Sequence, residues 1–255
     1  SHPTPDSPPA MPSWLRRLSY ALVALVVLGA GFQAWSVLPA AGFDATPVVV
    51  PPGTRELVLA IHGSGGREEP VIIALVQALQ ARLAPGSGTA VVRYIWAPWS
   101  DDKLRAHPNG VRVGGQLGAQ LAAVAGLEAI HLIAHSAGSY VLDPLCRAYR
   151  AGNGRARIRM TYLDPIGFNG PFDPGYGARH YGECADEAEA FINTDDPVPA
   201  TAAVLRHART TDVTADPGRA EFGGDGHRWP VQYYLNHLPM PVRPAEQATH
   251  ATADR

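Results

Sequence analysis

Residues 130–138 read Ile-His-Leu-Ile-Ala-His-Ser-Ala-Gly. An apolar stretch runs directly into Ala134-His135-Ser136-Ala137-Gly138, the G-x-S-x-G pattern with alanine in the first glycine place. In this pattern a serine sits on a sharp turn between a strand and a helix, and its hydroxyl is thrust out above the sheet. The turn presses strand against helix, so large residues beside it would clash. The chain is thereby committed to strand, turn and helix in that order, and Ser136 becomes a candidate nucleophile.

The flanking segments extend the same layout. Residues 57–61 (Leu-Val-Leu-Ala-Ile) form a continuous apolar run of the kind found in buried parallel strands. Helical periodicity follows over 70–83, where Val71, Ile72, Leu75, Val76, Leu79 and Leu83 share a face. The pattern then predicts a strand over 89–96, a long polar loop over 97–112 and a helix over 113–125. A strand over 129–134 precedes the serine turn and a helix over 137–150 follows it. Later strands are expected at 157–163, 187–194 and 209–214, with a closing helix over 230–238. Alternating strands and helices imply βαβ units and a mainly parallel sheet covered by helices on both faces, an α/β fold.

At 255 residues and 46% hydrophobic content the chain has enough material for one such domain plus an N-terminal appendage. The formal net charge of −2 leaves no basic footprint for nucleic acid. There is no CxxC, no HExxH and no glycine-rich phosphate loop, so neither a metal nor a cofactor is expected.

The appendage has its own signature. Residues 1–13 are proline-rich and expected to be disordered, and Met11 reads as a natural start preceded by a ten-residue extension. Arg16 and Arg17 then precede an apolar run over 18–38, the charge-then-apolar order of an export signal. The run also approaches the roughly 20 residues that cross a bilayer as a helix. Residues 14–40 are therefore read as a cleaved signal or a retained anchor. The arginines would stay on the cytoplasmic side and the remainder would be exported, making the protein secreted, periplasmic or membrane-anchored. The domain is placed at 43–245 and a tail at 246–255. Cys146 and Cys184 suit an exported protein and could form one disulfide, the other reading being two buried thiols.

The pattern over residues 55–240 resembles the α/β-hydrolase fold, nearer its lipase branch. His62-Gly63, directly after the 57–61 strand, looks like the lipase "HG" turn. The resemblance makes the backbone N–H groups of Ser64 and Ala137 the two oxyanion donors. The fold carries nucleophile, acid and base in the order Ser, Asp or Glu, His. His227 lies in Gly223-Gly224-Asp225-Gly226-His227, a glycine-rich loop before the last helix, where such proteins carry the catalytic histidine. His207 and His237 are expected to be structural.

Two strand ends compete for the acid. Tyr162-Leu163-Asp164-Pro165 resembles the stretch that carries the acid in pancreatic-type lipases. Asp195-Asp196-Pro197-Val198-Pro199 resembles the acid stretch one strand later in fungal-type lipases, which makes Asp196 the second candidate and Asp195 a third. Trp96 and Trp99, and Phe168, Phe172 and Tyr176, lie in loops that would either line an apolar acyl pocket or form a lid, or simply pack those loops down. The resemblance implies a serine-dependent ester hydrolase acting on a carboxylic or lipid ester. The alternative is a non-catalytic, membrane-tethered binding or scaffolding module on the same fold.

Overall fold

The computed structural model describes residues 12–42 and 44–238. Residues 1–11 (with Met11), Phe43 and the expected 246–255 tail lie outside the described residues.

The first element is a long helix, α1 (Ser13–Ser36). It begins at the last residue of the expected extension. Its leucines and valines face outward, with Leu22, Leu25 and Leu28 all more than 60% exposed. By length and composition this helix is apolar enough to cross a membrane. Its C-terminal end touches the domain: Ser36 is buried, and the Arg105 guanidinium lies 5.1 Å over the Trp35 ring.

Among the described residues the domain is built on six strands: β1 (Glu56–Ile61), β2 (Thr89–Tyr94), β3 (Ala129–His135), β4 (Arg157–Leu163), β5 (Glu187–Ile192) and β6 (Arg209–Asp212). All neighbours are parallel and the order is β2-β1-β3-β4-β5-β6. The chain thus steps outward one way from β1 to β2, then crosses over and proceeds the other way from β3. Ligands in open α/β sheets bind at such a reversal, beyond the carboxyl ends of the strands. Here that point lies between β1 and β3.

Alternate residues of each strand face opposite layers, because side chains in a strand repeat every two residues. Leu57, Leu59 and Ile61 join one core with Leu132 and Ala134, while Val58 and Ala60 join a second with Ile133. The first core packs under α3 (Ala106–Ala122) and α4 (Ser139–Ala151), the second under α2 (Pro70–Gln80) and α7 (Trp229–Asn236). Gly110, Gly114 and Gly118 of α3 face α4, where any Cβ would collide with Tyr140 or with the backbone at Val141 and Leu145. Their spacing of four puts all three on one side of the helix.

The expected loop over 97–112 is corrected in its second half, because α3 starts at Ala106. Pro108 reads as a breaker, but it falls in the first helical turn, where its missing N–H is not needed. Two short helices, α5 (Tyr176–His180) and α6 (Gly218–Glu221), lie in segments with no helical period of their own. Cys146 of α4 is joined by a disulfide to Cys184 in the segment before β5, with their Cα atoms 6.1 Å apart.

Candidate active site

Ser136 stands directly after β3 with φ +53°, a left-handed conformation that non-glycine residues rarely take. Residues Ser136–Gly138 form one 3₁₀ turn before α4. The turn is tight enough that a Cβ on Gly138 would lie 2.7 Å from the His62 carbonyl and 2.9 Å from that of Ile61. Ala134, two residues before Ser136, is fully buried opposite Ile61 and Tyr162, so a methyl group fits where the pattern has glycine.

The turn after β1 lies against the serine. A Cβ on Gly63 would sit 2.9 Å from the Ser136 Cβ and 3.4 Å from its Oγ. Buried His62 braces this turn. Its Nε2 accepts the Trp96 N–H at 3.2 Å, so the proton is on Nδ1, which donates to the Gly63 carbonyl at 2.7 Å. Burial holds the ring below the ordinary histidine pKa, which keeps this neutral tautomer in place. Ser64 is tied down through its hydroxyl, which donates to the Ser100 carbonyl at 2.6 Å.

His227 lies in a second 3₁₀ turn, Gly226–Arg228, capped by Asp225, whose carboxylate accepts the Arg228 N–H. The two rival acids both reach its ring. Asp164 Oδ2 lies 2.8 Å from His227 Nδ1, and Asp196 Oδ2 lies 2.7 Å from the same atom. Their side chains are 0% and 1% exposed. Asp164 also takes a left-handed backbone, φ +47°, and its Oδ1 accepts the Asn193 N–H at 2.9 Å. Burial, with Asp196 beside it, pushes the Asp164 carboxyl up to about 6 against the pull of His227. Asp195 turns outward toward Arg219, 3.6 Å away. His207 is exposed, and His237 stacks on Tyr233 at the far end of α7.

Ser136 and His227 face one cleft of about 350 Å³, shared with Gly63, Ser64, Asp196 and Val198. No hydrogen bond joins the Ser136 hydroxyl to His227 in this state. Such bonds are often long in a free enzyme and tighten when substrate binds. None of the aromatic residues expected near the pocket lines this cleft. Trp96 is fully buried and donates its indole N–H to the His62 carbonyl at 2.8 Å. Tyr176 packs edge-on against His107, and Phe172 is 73% exposed.

Sequence reasoning passed over three residues. Asn193 is fully buried, and its Nδ2 donates to the Gly226 carbonyl at 2.9 Å, linking the β5 end to the histidine turn. His135, the variable residue of the serine motif, is buried against Glu69 with Nδ1 to Oε1 at 2.7 Å. The only signal for Glu69 was its place in the loop after the HG turn.

One oxygen of Asp164, one of Asp196 and a ring nitrogen of His227 fall within 4.8 Å of one another, a donor set that could hold a metal ion. The spacing fits better to direct hydrogen bonds. Ligands about 2.1 Å from a tetrahedral ion stand roughly 3.4 Å apart, whereas these lie 2.7 and 2.8 Å from Nδ1.

The parallel sheet with its reversal at β1 and β3, the strained serine turn and the helices on both faces make one architecture. The fold is that of an α/β-hydrolase. Neither the protein-family models nor the curated proteins contain a match to the chain. Among solved structures it is similar to lipase B of Aspergillus fumigatus (TM-score 0.42, 10% identity, covering 71% of this chain and 49% of the lipase). It is also similar to an α/β serine hydrolase without a lid from Xanthomonas campestris (TM-score 0.37, 15% identity, 81% and 88% covered). A third is the RedJ thioesterase of prodiginine biosynthesis in Streptomyces coelicolor (TM-score 0.36, 15% identity, 81% and 93% covered). The chain spans about half the length of the first of these.

Proposed function

We propose that this α/β-hydrolase domain is a serine-dependent carboxylic ester hydrolase, with Ser136 as nucleophile, His227 as base and the Asp164–Asp196 pair as acid. The observation that carries this reading is the buried double-carboxylate clamp on His227 Nδ1, facing the same cleft as a serine held at positive φ. The carboxylates fix the proton on Nδ1 and leave Nε2 as the base.

In the proposed reaction, Nε2 takes the Ser136 hydroxyl proton while Oγ bonds to the acyl carbon. The tetrahedral oxyanion is received by the Ser64 and Ala137 amides, donors that matter only once charge develops on that oxygen. The C–O bond to the leaving group then breaks and Nε2 returns the proton to the departing alcohol. Water repeats the sequence on the acyl-serine, giving the acid and restoring the hydroxyl.

The cleft favours esters with short acyl groups over lipids. Among the described residues its walls are glycines, polar side chains, Pro70, Pro197 and Val198, with no Phe, Tyr, Trp or Leu surface on which a long chain could lie. Ligand sites usually measure about 300–1,000 Å³, and this one is near the lower end. The apolar α1 with Arg16 and Arg17 at its start supports a role as signal or membrane anchor, with the hydrolase on the exported side.

Fluorophosphonate labelling tests the assignment. Wild-type protein should be labelled and Ser136→Ala should not. Labelling that survives the substitution would overturn the nucleophile, and no labelling at all would favour the non-catalytic binding module.

A further inference from the structure

The hydrolase mechanism leaves one buried ion pair unused. Glu69 and His135 have side chains only 5% and 3% exposed, and Glu69 Oε1 lies 2.7 Å from His135 Nδ1. On its other side the His135 ring contacts the His227 carbonyl oxygen, 2.9 Å from Nε2. A carbonyl only accepts, so Nε2 carries a proton. Nδ1 faces the Glu69 carboxylate at 2.7 Å, an ion-pair contact rather than an aligned hydrogen bond. With Nε2 protonated and a buried carboxylate beside Nδ1, the ring is held as an imidazolium paired with Glu69.

The charges bear this out from both sides. The His135 imidazolium, the Gly63 amide and Arg228 hold the Glu69 carboxyl down at about 2 although burial opposes it. Glu69, the His227 carbonyl and Asp164 raise His135 against the same opposition. Among the described residues, Arg228 Nε, at 3.7 Å from Glu69 Oε1, is a further cation near the pair.

The pair touches three pieces of the site at once. Glu69 Oε2 accepts the Gly63 N–H at 3.4 Å, in the turn that precedes Ser64. A Cβ on Gly66 would lie 2.9 Å from that oxygen, so the loop folds tightly around the carboxylate. His135 is covalently next to Ser136. Its ring also lies 4.6 Å from the His227 ring, centroid to centroid.

We propose that Glu69 and His135 are positioning residues whose buried ion pair holds the oxyanion turn, the serine elbow and the His227 turn in register. This rests on the hydrolase reading above. A buried pair is seldom a net source of stability, because desolvating two charges offsets their attraction. Its use here is geometric, since a donor displaced from the developing oxyanion costs rate while leaving the ester's ground state little affected.

The test compares wild type with Glu69→Gln on a short nitrophenyl ester, with rates expressed per Ser136 titrated to completion by a fluorophosphonate. The expected result is a 10- to 100-fold fall in kcat per titrated site with KM changed less than twofold. Affinity for an alkylboronic acid, which forms a tetrahedral adduct on the serine, should fall in parallel. A purely structural role would lower the titrated fraction and leave kcat per site and boronate affinity within twofold of wild type, which would overturn the proposal. Should Glu69→Gln fold poorly with His135 left unpaired, Glu69→Gln/His135→Gln removes both charges and must show the same losses per site. Failure of the hydrolase reading is separately visible, because wild-type Ser136 would then not be titrated.

Discussion

His62 Nδ1 donates to the Gly63 carbonyl at 2.7 Å, and that carbonyl belongs to the same peptide unit as the Ser64 amide. In a trans peptide C=O and N–H point opposite ways. Fixing the carbonyl toward His62 therefore aims the Ser64 N–H away from it. His62→Ala should release the peptide and lower kcat toward a short ester about 10–100-fold, somewhat less than the roughly 10²–10³ for outright loss of an oxyanion donor. Stopped-flow acylation rates check this. An unchanged rate would remove Ser64 from the oxyanion site.

Asp164 and Asp196 converge on one nitrogen, so either alone still holds the His227 tautomer. Asp164→Asn and Asp196→Asn should each lower kcat by about 10–100-fold, whereas the double variant should approach the roughly 10⁴ loss typical when the triad acid becomes an amide. A single variant that already loses the full amount would identify that residue as the sole acid.

The raised Asp164 carboxyl makes a pH-dependent contribution of definite sign. Between its ordinary value of 3.8 and its folded value of about 6, the folded state binds a proton that the unfolded state has lost. Stability must then fall as pH rises through this window. Relative to Asp164→Asn, the wild type should lose on the order of 1–3 kcal/mol between pH 4 and pH 7. Urea unfolding of both proteins across this range measures it, and a difference of opposite slope would contradict the burial argument.

Gly138 is required by close approach. A methyl group there would press to 2.7 Å on the His62 carbonyl and 2.9 Å on that of Ile61, backbone atoms with nowhere to move. Gly138→Ala should destabilise the protein by about 1–3 kcal/mol, as overpacking does, and displace the serine elbow. Thermal unfolding together with fluorophosphonate labelling rate checks both effects. By contrast, Ala134→Gly should leave labelling nearly unchanged, since the alanine methyl already fits its site.

Much of the site was readable because its cues are local. The run from Leu57 to Ile61, the stretch before Ser136 and the glycines around Asp225 each announce their own conformation to a reader of neighbouring residues. Pro108 misled because a proline means different things at a helix start and in its interior. The aromatic loops stayed open between pocket and packing because apolar side chains near a motif need not face it: Trp96 turned into the core and gave its N–H to His62.

The places of the strands and helices along the chain, the turn at Ser136 and the His227 loop are determined by apolar periodicity and small residues, properties that act over a few positions of chain. The sequence left Asp164 and Asp196 as rivals, since each ends a strand before a proline or a turn. Tertiary structure made them partners. β4 and β5 lie side by side with Leu163 opposite Phe191, so their carboxyl ends finish at one level and both carboxylates reach His227. The same non-local packing brought Glu69 against His135, 66 positions later in the chain. Adjacency between strands far apart in sequence is decided by burying the whole sheet at once, which no short stretch of residues encodes.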